Sequence, residues 1–358
     1  MTDEGSTTDI FDLTDVATGI AEQAKHVLAN NAPVTARICL AQLAMLASDT
    51  ACGARLRGWP GKVLADALPL RVAGGLHWLH LTGREDRLWP VYRGDVTDQA
   101  AVAALVLAVA GDHEAALLPW LDGPPQTNEA GRSASFMAGL AWLSGRVGPR
   151  FALNELGASA GINTMMDRYF YDLGGVTFGP ADSPMRIIPD WRGPAPPDAA
   201  VEIVSIKGCD QTVIDLSDPA AAMRVKAYVW PENAARLERM DAAIKLASER
   251  APDVVEADAA DWVGAMLAEP QAAGVTRVFN HSIVWQYIPE DRRARISAAI
   301  AVAGARATAE RPLAWMRLET NRATFKHELT VQYWPGGTEP VLLGEAQAHG
   351  AWVEWQGI

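Results

Sequence analysis

The residues best placed to do chemistry are Glu155, Gly157, Ser159 and Gly161, in the stretch FALNELGASAGINT at 151–164. Their alternate spacing suits a buried parallel strand that ends in a tight loop against a bound nucleotide or nucleoside. Gly157 would let the backbone turn and approach a ligand where a Cβ would collide. Gly161 would open a following helix over 162–171 and let it pack close to the strand. Glu155, at the carboxyl end of the strand, would face the crevice where open α/β sheets bind ligands. A dinucleotide fingerprint would need G-x-G-x-x-G, and the second glycine is missing. A phosphate loop would need a lysine after its last glycine, and none follows. Strand, turn and helix with small residues for packing alone remains the plain alternative.

Further candidates lie downstream and just upstream. The segment 201–210, VEIVSIKGCD, reads as a second strand ending in Asp210, and a carboxylate there can accept both hydroxyls of a ribose. Asp215 is the runner-up, and an ordinary turn aspartate is the alternative. A third unit, 254–263, brings Asp258, Ala259 and Asp261 to the start of a helix, where either aspartate can serve as an N-cap. A fourth strand over 277–280 ends at Asn280 and runs into His281, Trp285 and Tyr287. His281 is the one histidine placed where a general base would be useful, because imidazole titrates near neutrality. Trp285 and Tyr287 would stack on a ligand or merely cover the core. Before the glycine-bearing strand, QTNEAGRS at 126–133 leads into a helix over 133–147. Thr127 or Asn128 would cap it, and Asn128, Glu129 and Arg132 would gather at its start. If that end faces the carboxyl edge of the sheet, Asn128 would touch substrate, Glu129 would serve as an alternative base, and Arg132 would bind a carboxylate bidentately.

These groups need elements to hold them. Residues 1–125 read as a helical region, with apolar residues at three- and four-residue spacing over 10–28, 36–47, 64–81 and 99–118, broken at Trp59-Pro60-Gly61 and Trp89-Pro90. This region is expected to cap one side of a sheet domain. His77-x-x-His80 there fits a packed helix better than a metal site. Residues 126–358 read as alternating strands and helices, with further strands over 313–318, 328–334, 341–343 and 351–355. Glycine and proline mark an insertion at about 172–199, expected to be a hairpin or lid. Arg168, Tyr169 and Tyr171, just before it, would line a cleft or pack. The expectation is a mostly parallel sheet with an antiparallel C-terminal hairpin.

Composition narrows the partners. The 358 residues carry 31 basic and 43 acidic side chains, a net charge of -12, which argues against a broad nucleic-acid surface and points to a small-molecule or protein substrate. The acidic start MTDEGSTTDIFDL does not read as a signal peptide, and no apolar run is long enough to span a bilayer. Three scattered cysteines argue against a disulfide framework, so a cytoplasmic setting is expected.

Two resemblances follow from these segments. The acid-x-G-x-x-x-G form at 155–161 resembles the first motif of class I S-adenosylmethionine-dependent methyltransferases, with Ser159 where glycine is commoner. The chain as a whole resembles the bacterial domain-of-unknown-function family 2332, through QTNEAGRS at 126–133, ELGASAGIN at 155–163, KGCDQTVIDLSDP at 207–219, AYVWPE at 227–232, FNHSIVWQYIP at 279–289 and HGAWVEW at 349–355. The resemblance implies a Rossmann-like methyltransferase domain that binds S-adenosylmethionine and releases S-adenosylhomocysteine. Glu155, Gly157, Ala158, Ser159, Gly161, Asn163, Asp210, Asn280 and Arg132 would then hold the cofactor. Asp258 would bond the adenine amine and Ala259 would leave room for the ring, with His281 or Glu129 as base and Asn128, Trp285 and Tyr287 toward the substrate. A non-catalytic module that binds the same ligand is the alternative. A nicotinamide-dependent oxidoreductase is a further one, disfavoured by the missing glycine.

Overall fold

The computed structural model describes residues 12–126 and 128–358. The first residues of the helix expected over 10–28, and the Thr127 cap, lie outside the described residues. The chain divides into two compact units. One takes in the chain before Asn128 together with Pro219–Glu238, and the other comprises Asn128–Asp218 and Arg239–Ile358. The stretch 219–238, read from sequence as part of the α/β domain, thus joins the helical unit.

The helical unit holds α1 (Val16–Ala29), α2 (Pro33–Leu46), α3 (Ala51–Arg57), α4 (Leu68–Leu81), α5 (Trp89–Tyr92), α6 (Gln99–Asp112) and α7 (Glu114–Leu117). Its boundaries follow local chemistry. Asp15, Thr50 and Asp98 accept bonds from the amides of Thr18, Gly53 and Ala101, and Pro33 opens α2 where its missing N–H costs nothing. The run expected over 99–118 is instead broken at His113. Ile20, Ile38, Leu56, Leu76, Val106 and their neighbours form one apolar core. The AYVWPE segment serves this unit, since Glu232 accepts bonds from the amide and hydroxyl of Thr35 and the Ala227 carbonyl meets Nδ1 of His77. His77 is buried, and that burial lowers its pKa to about 4. Among the described residues no group of three or more metal-ligating side chains occurs, and no single helix is long and apolar enough to cross a membrane.

The second unit begins with α8 (Ser133–Val147), a helix with the boundaries expected from its sequence. The strands follow in chain order: β1 (Arg150–Leu156), β2 (Phe170–Leu173), β3 (Val176–Phe178), β4 (Arg186–Ile187), β5 (Asp190–Arg192), β6 (Glu202–Asp210) and β7 (Val254–Glu256). Then come β8 (Thr276–Ser282), β9 (Leu313–Thr320), β10 (His327–Trp334), β11 (Gly337–Ala346) and β12 (Trp352–Trp355). Four more helices complete the chain: α9 (Pro219–Ala227), α10 (Ala234–Glu249), α11 (Ala259–Ala268) and α12 (Glu290–Gly304). α9 lies in the helical unit, and the boundary between units falls within α10.

The main sheet runs β5-β12-β11-β10-β9-β8-β1-β6-β7. Its five strands β7, β6, β1, β8 and β9 are parallel, and β10, β11 and β12 follow as an antiparallel meander. This is a largely parallel α/β sheet whose chain order reverses between β1 and β8. The C-terminal addition exceeds the single hairpin expected, and the insertion adds β5 to its far edge, parallel to β12. The rest of the insertion forms a small separate sheet, β3-β2-β4. The helix expected over 162–171 is not formed. A short 3-10 turn, Asn163–Arg168, gives way to β2, because Tyr169, Tyr171 and Leu173 are buried at a spacing of two and demand an extended chain.

Candidate functional site

The site is built where β6, β1 and β8 end side by side. Glu155 is in register with Gly208 of β6 and Asn280 of β8, so Glu155 and Asn280 project from the same face. His281, one residue on, projects from the other face, toward Trp285 and Trp315. The expected residues therefore fall into two groups on opposite faces of one strand edge.

On the Glu155 face, loop 157–161 carries three left-handed residues, Gly157 (φ 70°), Ser159 (φ 52°) and Gly161 (φ 69°). Glycine adopts this conformation freely, but serine there is strained by about 1–2 kcal/mol. The strain is held by the neighbouring chain. The Ser159 amide donates to Oδ2 of Asp210 at 2.9 Å, and the Ala158 amide donates to the Cys209 carbonyl. Asn128 clamps the loop from the other side, donating from Nδ2 to the Ala158 carbonyl and accepting the Ile162 amide on Oδ1. The orientation of the helix start is thus settled: it meets the carboxyl edge, and Arg132 donates to the Ser282 carbonyl at the end of β8 and to Ala348.

Within this scaffold Oγ of Ser159 and Oδ1 of Asn280 are buried with no hydrogen-bond partner among the described residues, and Oε2 of Glu155 and the amide of Asn163 have none but each other. Each such group costs about 1–3 kcal/mol if nothing satisfies it. Burial pushes the Glu155 carboxyl up to about 8. The nearby Asn163 amide and the charge of Arg132 oppose that rise, and the charge of Asp210 adds to it. Glu155 is therefore largely protonated at neutral pH.

Other expected residues are committed to the protein. Asp210 also accepts the Thr212 amide on Oδ1. Asp258 caps α11 through the amides of Ala260 and Asp261 and pairs with Arg292. Burial works against its ionisation, but those amides and that guanidinium outweigh it and hold the carboxyl below its usual range. Asp258 thus occupies the N-cap position that the sequence also allowed, and Ala259 is the first residue of the helix. Glu129 accepts Nε of Arg239 at 3.1 Å and the Gly131 amide, a capping arrangement rather than that of a free base. Tyr287 is 75 % exposed. Arg168 donates to the carbonyls of Leu246 and Arg250, and the hydroxyls of Tyr169 and Tyr171 are bonded to the chain beside them.

On the opposite face, Nδ1 of His281 meets Oε1 of Glu319 at 2.6 Å, and the same carboxylate accepts the amides of Val284 and Trp285. Trp285 stacks on the imidazole, 4.9 Å between centroids and 14° from parallel. Nε2 of His281 is buried and has no hydrogen-bond partner among the described residues. With its proton fixed on Nδ1 by the carboxylate, a neutral imidazole keeps a basic lone pair on Nε2. Sequence reasoning missed Glu319, although an acid near the end of a parallel strand is the same signal that picked out Glu155.

All but one of the segments that carry the family resemblance lie in this unit and pack around loop 157–161. A Cβ on Gly208 would fall 2.6 Å from the Cβ of Ala158, and one on Gly131 would fall 2.4 Å from the His349 carbonyl oxygen. The family model described as "Uncharacterized protein conserved in bacteria" (DUF2332) matches residues 17–355. The chain belongs to this family. No curated protein and no solved structure matches it. In this DUF2332 chain QTNEAGRS, ELGASAGIN, KGCDQTV, FNHSIVWQ and HGAWVEW are thus parts of one construction around loop 157–161, whereas AYVWPE belongs to the core of the helical unit.

Proposed function

We propose that the α/β unit binds an S-adenosyl ligand at the carboxyl edge of β1 and transfers a methyl group from S-adenosylmethionine to a small molecule. One observation carries the reading. At the reversal in strand order, a loop with three left-handed residues lies beside buried polar side chains that have no partner among the described residues or only one another. Open α/β sheets bind their ligands at this place, and the loop offers no lysine for a phosphate.

The residues fit such a cofactor at most of its polar groups. Glu155, Asn163 and Asn280 would meet its methionine end, and the positive charge of Arg132 would offset its carboxylate. Each Asp210 oxygen takes one backbone amide and keeps capacity for a ribose hydroxyl. Asp258 is committed elsewhere, so the adenine amine would be met by backbone or another side chain. When bound, S-adenosylmethionine supplies an electrophilic methyl group, and the protein's part is alignment and exclusion of water. His281, steadied by Glu319, projects from the opposite face of the strand, so it would take the acceptor's proton at Nε2 only where the acceptor reaches round the strand end past Trp285. Val284 now lies against Gly157 and would have to withdraw, with Ile283, itself in the left-handed region at φ 51°, as the pivot.

A non-catalytic S-adenosyl-binding module is the second reading, favoured by the complete burial of His281 beneath Trp285. Calorimetric titration with S-adenosylmethionine, S-adenosylhomocysteine and nicotinamide dinucleotides tests the binding claim. Heat from the S-adenosyl ligands alone, weakened in Asp210→Ala, supports it. Heat from the nicotinamide cofactors, or none from any of them, sinks it. A methyl-transfer screen over metabolite pools then separates the two readings.

A further inference from the structure

At the opposite, amino-terminal edge of the sheet, α11 and α12 diverge over an open groove of about 610 Å³. Its floor is aliphatic, made by Leu267, Ala299, Val302, Ala303 and Leu313, with no aromatic ring in its lining. Its polar side chains are those of Gln271, Arg277, Arg306 and Arg311, and no acidic side chain is in the lining. Arg277 is only 9 % exposed and pairs with no carboxylate among the described residues. One guanidinium nitrogen, Nη2, donates to the Glu269 carbonyl at the end of α11, and its other nitrogens have no hydrogen bond among the described residues. Burial lowers its pKa, with Glu269 acting against that. Arg306 makes no side-chain bond among the described residues, and Arg311 donates to the Gln271 carbonyl and lies 4.0 Å from Glu310. The acids of the rim are Glu269, held by Lys207, and Glu310.

A buried guanidinium over an aliphatic floor is costly in isolation and favourable when a planar anion completes it. We infer that this groove binds a medium-chain aliphatic carboxylate, with the carboxylate on Arg277 and Arg306 and the tail along Leu267, Val302 and Ala303. The volume lies in the range of small-ligand sites. The lack of aromatic faces and the dominance of donors favour an aliphatic anion over a nucleoside or sugar. This inference is independent of the proposed methyl transfer, because it uses the other end of the sheet and shares no residue with loop 157–161.

Titration of the full chain with octanoate, acetate and octanol, followed by calorimetry and by amide shifts of residues 264–271 and 298–311, tests it. Octanoate is expected to bind roughly tenfold or more tightly than either control, since each control lacks one half of the interaction. Arg277→Met and Arg306→Glu should each weaken octanoate at least about tenfold. Should loss of the Glu269 contact unfold Arg277→Met, Val302→Asp decides the question. That side chain is 53 % exposed, so the variant folds, and its carboxylate repels the ligand. Equal binding of octanol and octanoate would reduce the groove to a greasy surface. No binding at about 1 mM, near the weak end of specific affinity, or binding untouched by Val302→Asp, would overturn the proposal.

Discussion

The side chain of Val284 lies on Gly157: a Cβ built on the glycine would fall 2.4 Å from Cγ2 of the valine. Two segments far apart in the chain thus close over each other at the carboxyl edge of β1. The glycine is required by this contact and by its left-handed φ of 70°, whatever else the loop does. Gly157→Val would therefore disrupt packing first and report on a ligand only second. Val284→Ala is the sharper variant, because it enlarges the space over the loop without touching the loop. S-adenosylmethionine should bind it several-fold more tightly than the parent chain, measured by calorimetry. Equal or weaker affinity would mean that Val284 guards no cofactor berth.

Ser159 occupies a backbone conformation that glycine adopts freely, and its Oγ is buried without a partner. Both features predict that Ser159→Gly stabilises the protein, by about 1 kcal/mol. Urea unfolding at neutral pH measures the change. A destabilised variant would show that the hydroxyl is satisfied after all and that the loop is not strained.

Glu155 gives the stability a definite pH dependence. Its carboxyl titrates near 8 in the folded chain, against about 4.5 for an ordinary glutamate, so the folded state binds the extra proton. The penalty for ionising it is absent below about pH 4.5, grows as the pH rises toward 8, and is constant above that. Every tenfold difference between the folded and unfolded ionisation constants corresponds to about 1.4 kcal/mol. Glu155→Gln should flatten this part of the profile between pH 5 and 8. Parallel profiles for the two proteins would place the titration elsewhere.

Much of this site was legible in the residues, and the remainder has identifiable physical reasons for being hidden. The acid-glycine spacing located the edge of the sheet, because a strand that must end against a close-packed loop needs those residue types in that order. The start of α8 was legible as a cluster, yet its direction became visible only through Asn128 and Arg132, whose partners at Ala158, Ile162, Ser282 and Ala348 are remote in sequence. The helix expected over 162–171 gives way at Tyr169, because the chain there changes to a period-two burial that only the packing of Tyr169, Tyr171 and Leu173 reveals. The splitting of Glu155 and His281 onto opposite faces could not be read without the register of β1 against β8. The return of residues 219–238 to the helical unit is a long-range fact of the same kind.

Asn128 is the residue on which the loop most depends. Its amide satisfies a carbonyl and an N–H at the two ends of 158–162, and it is 7 % exposed. Asn128→Ala leaves both backbone groups buried and unpaired, at a cost of about 3 kcal/mol. Asn128→Asp keeps the acceptor for Ile162 and places a carboxylate against the Ala158 carbonyl, so it should be no better. Thermal and urea unfolding measure both. Two stable variants would show that water replaces the amide and that Asp210 and the Cys209 carbonyl suffice to hold the loop.

Glu319 sets the state of His281. Its carboxylate takes Nδ1 of the imidazole and two backbone amides, while it remains 19 % exposed. Glu319→Gln preserves shape, yet its amide cannot accept on both sides, so one of these bonds is lost and the imidazole is free to change tautomer. Loss of a charge-assisted bond of this kind costs about 1.5–3 kcal/mol of stability. If His281 acts as the base in the proposed methyl transfer, the same change should lower kcat roughly a hundredfold or more with little effect on KM for S-adenosylmethionine, because the side chains proposed to hold that cofactor project from the other face of the strand. The imidazole nitrogen shifts by NMR should move from a single Nδ1–H form to a mixture. A variant that keeps both kcat and the tautomer would remove Glu319, and with it the oriented lone pair of His281, from any part in catalysis.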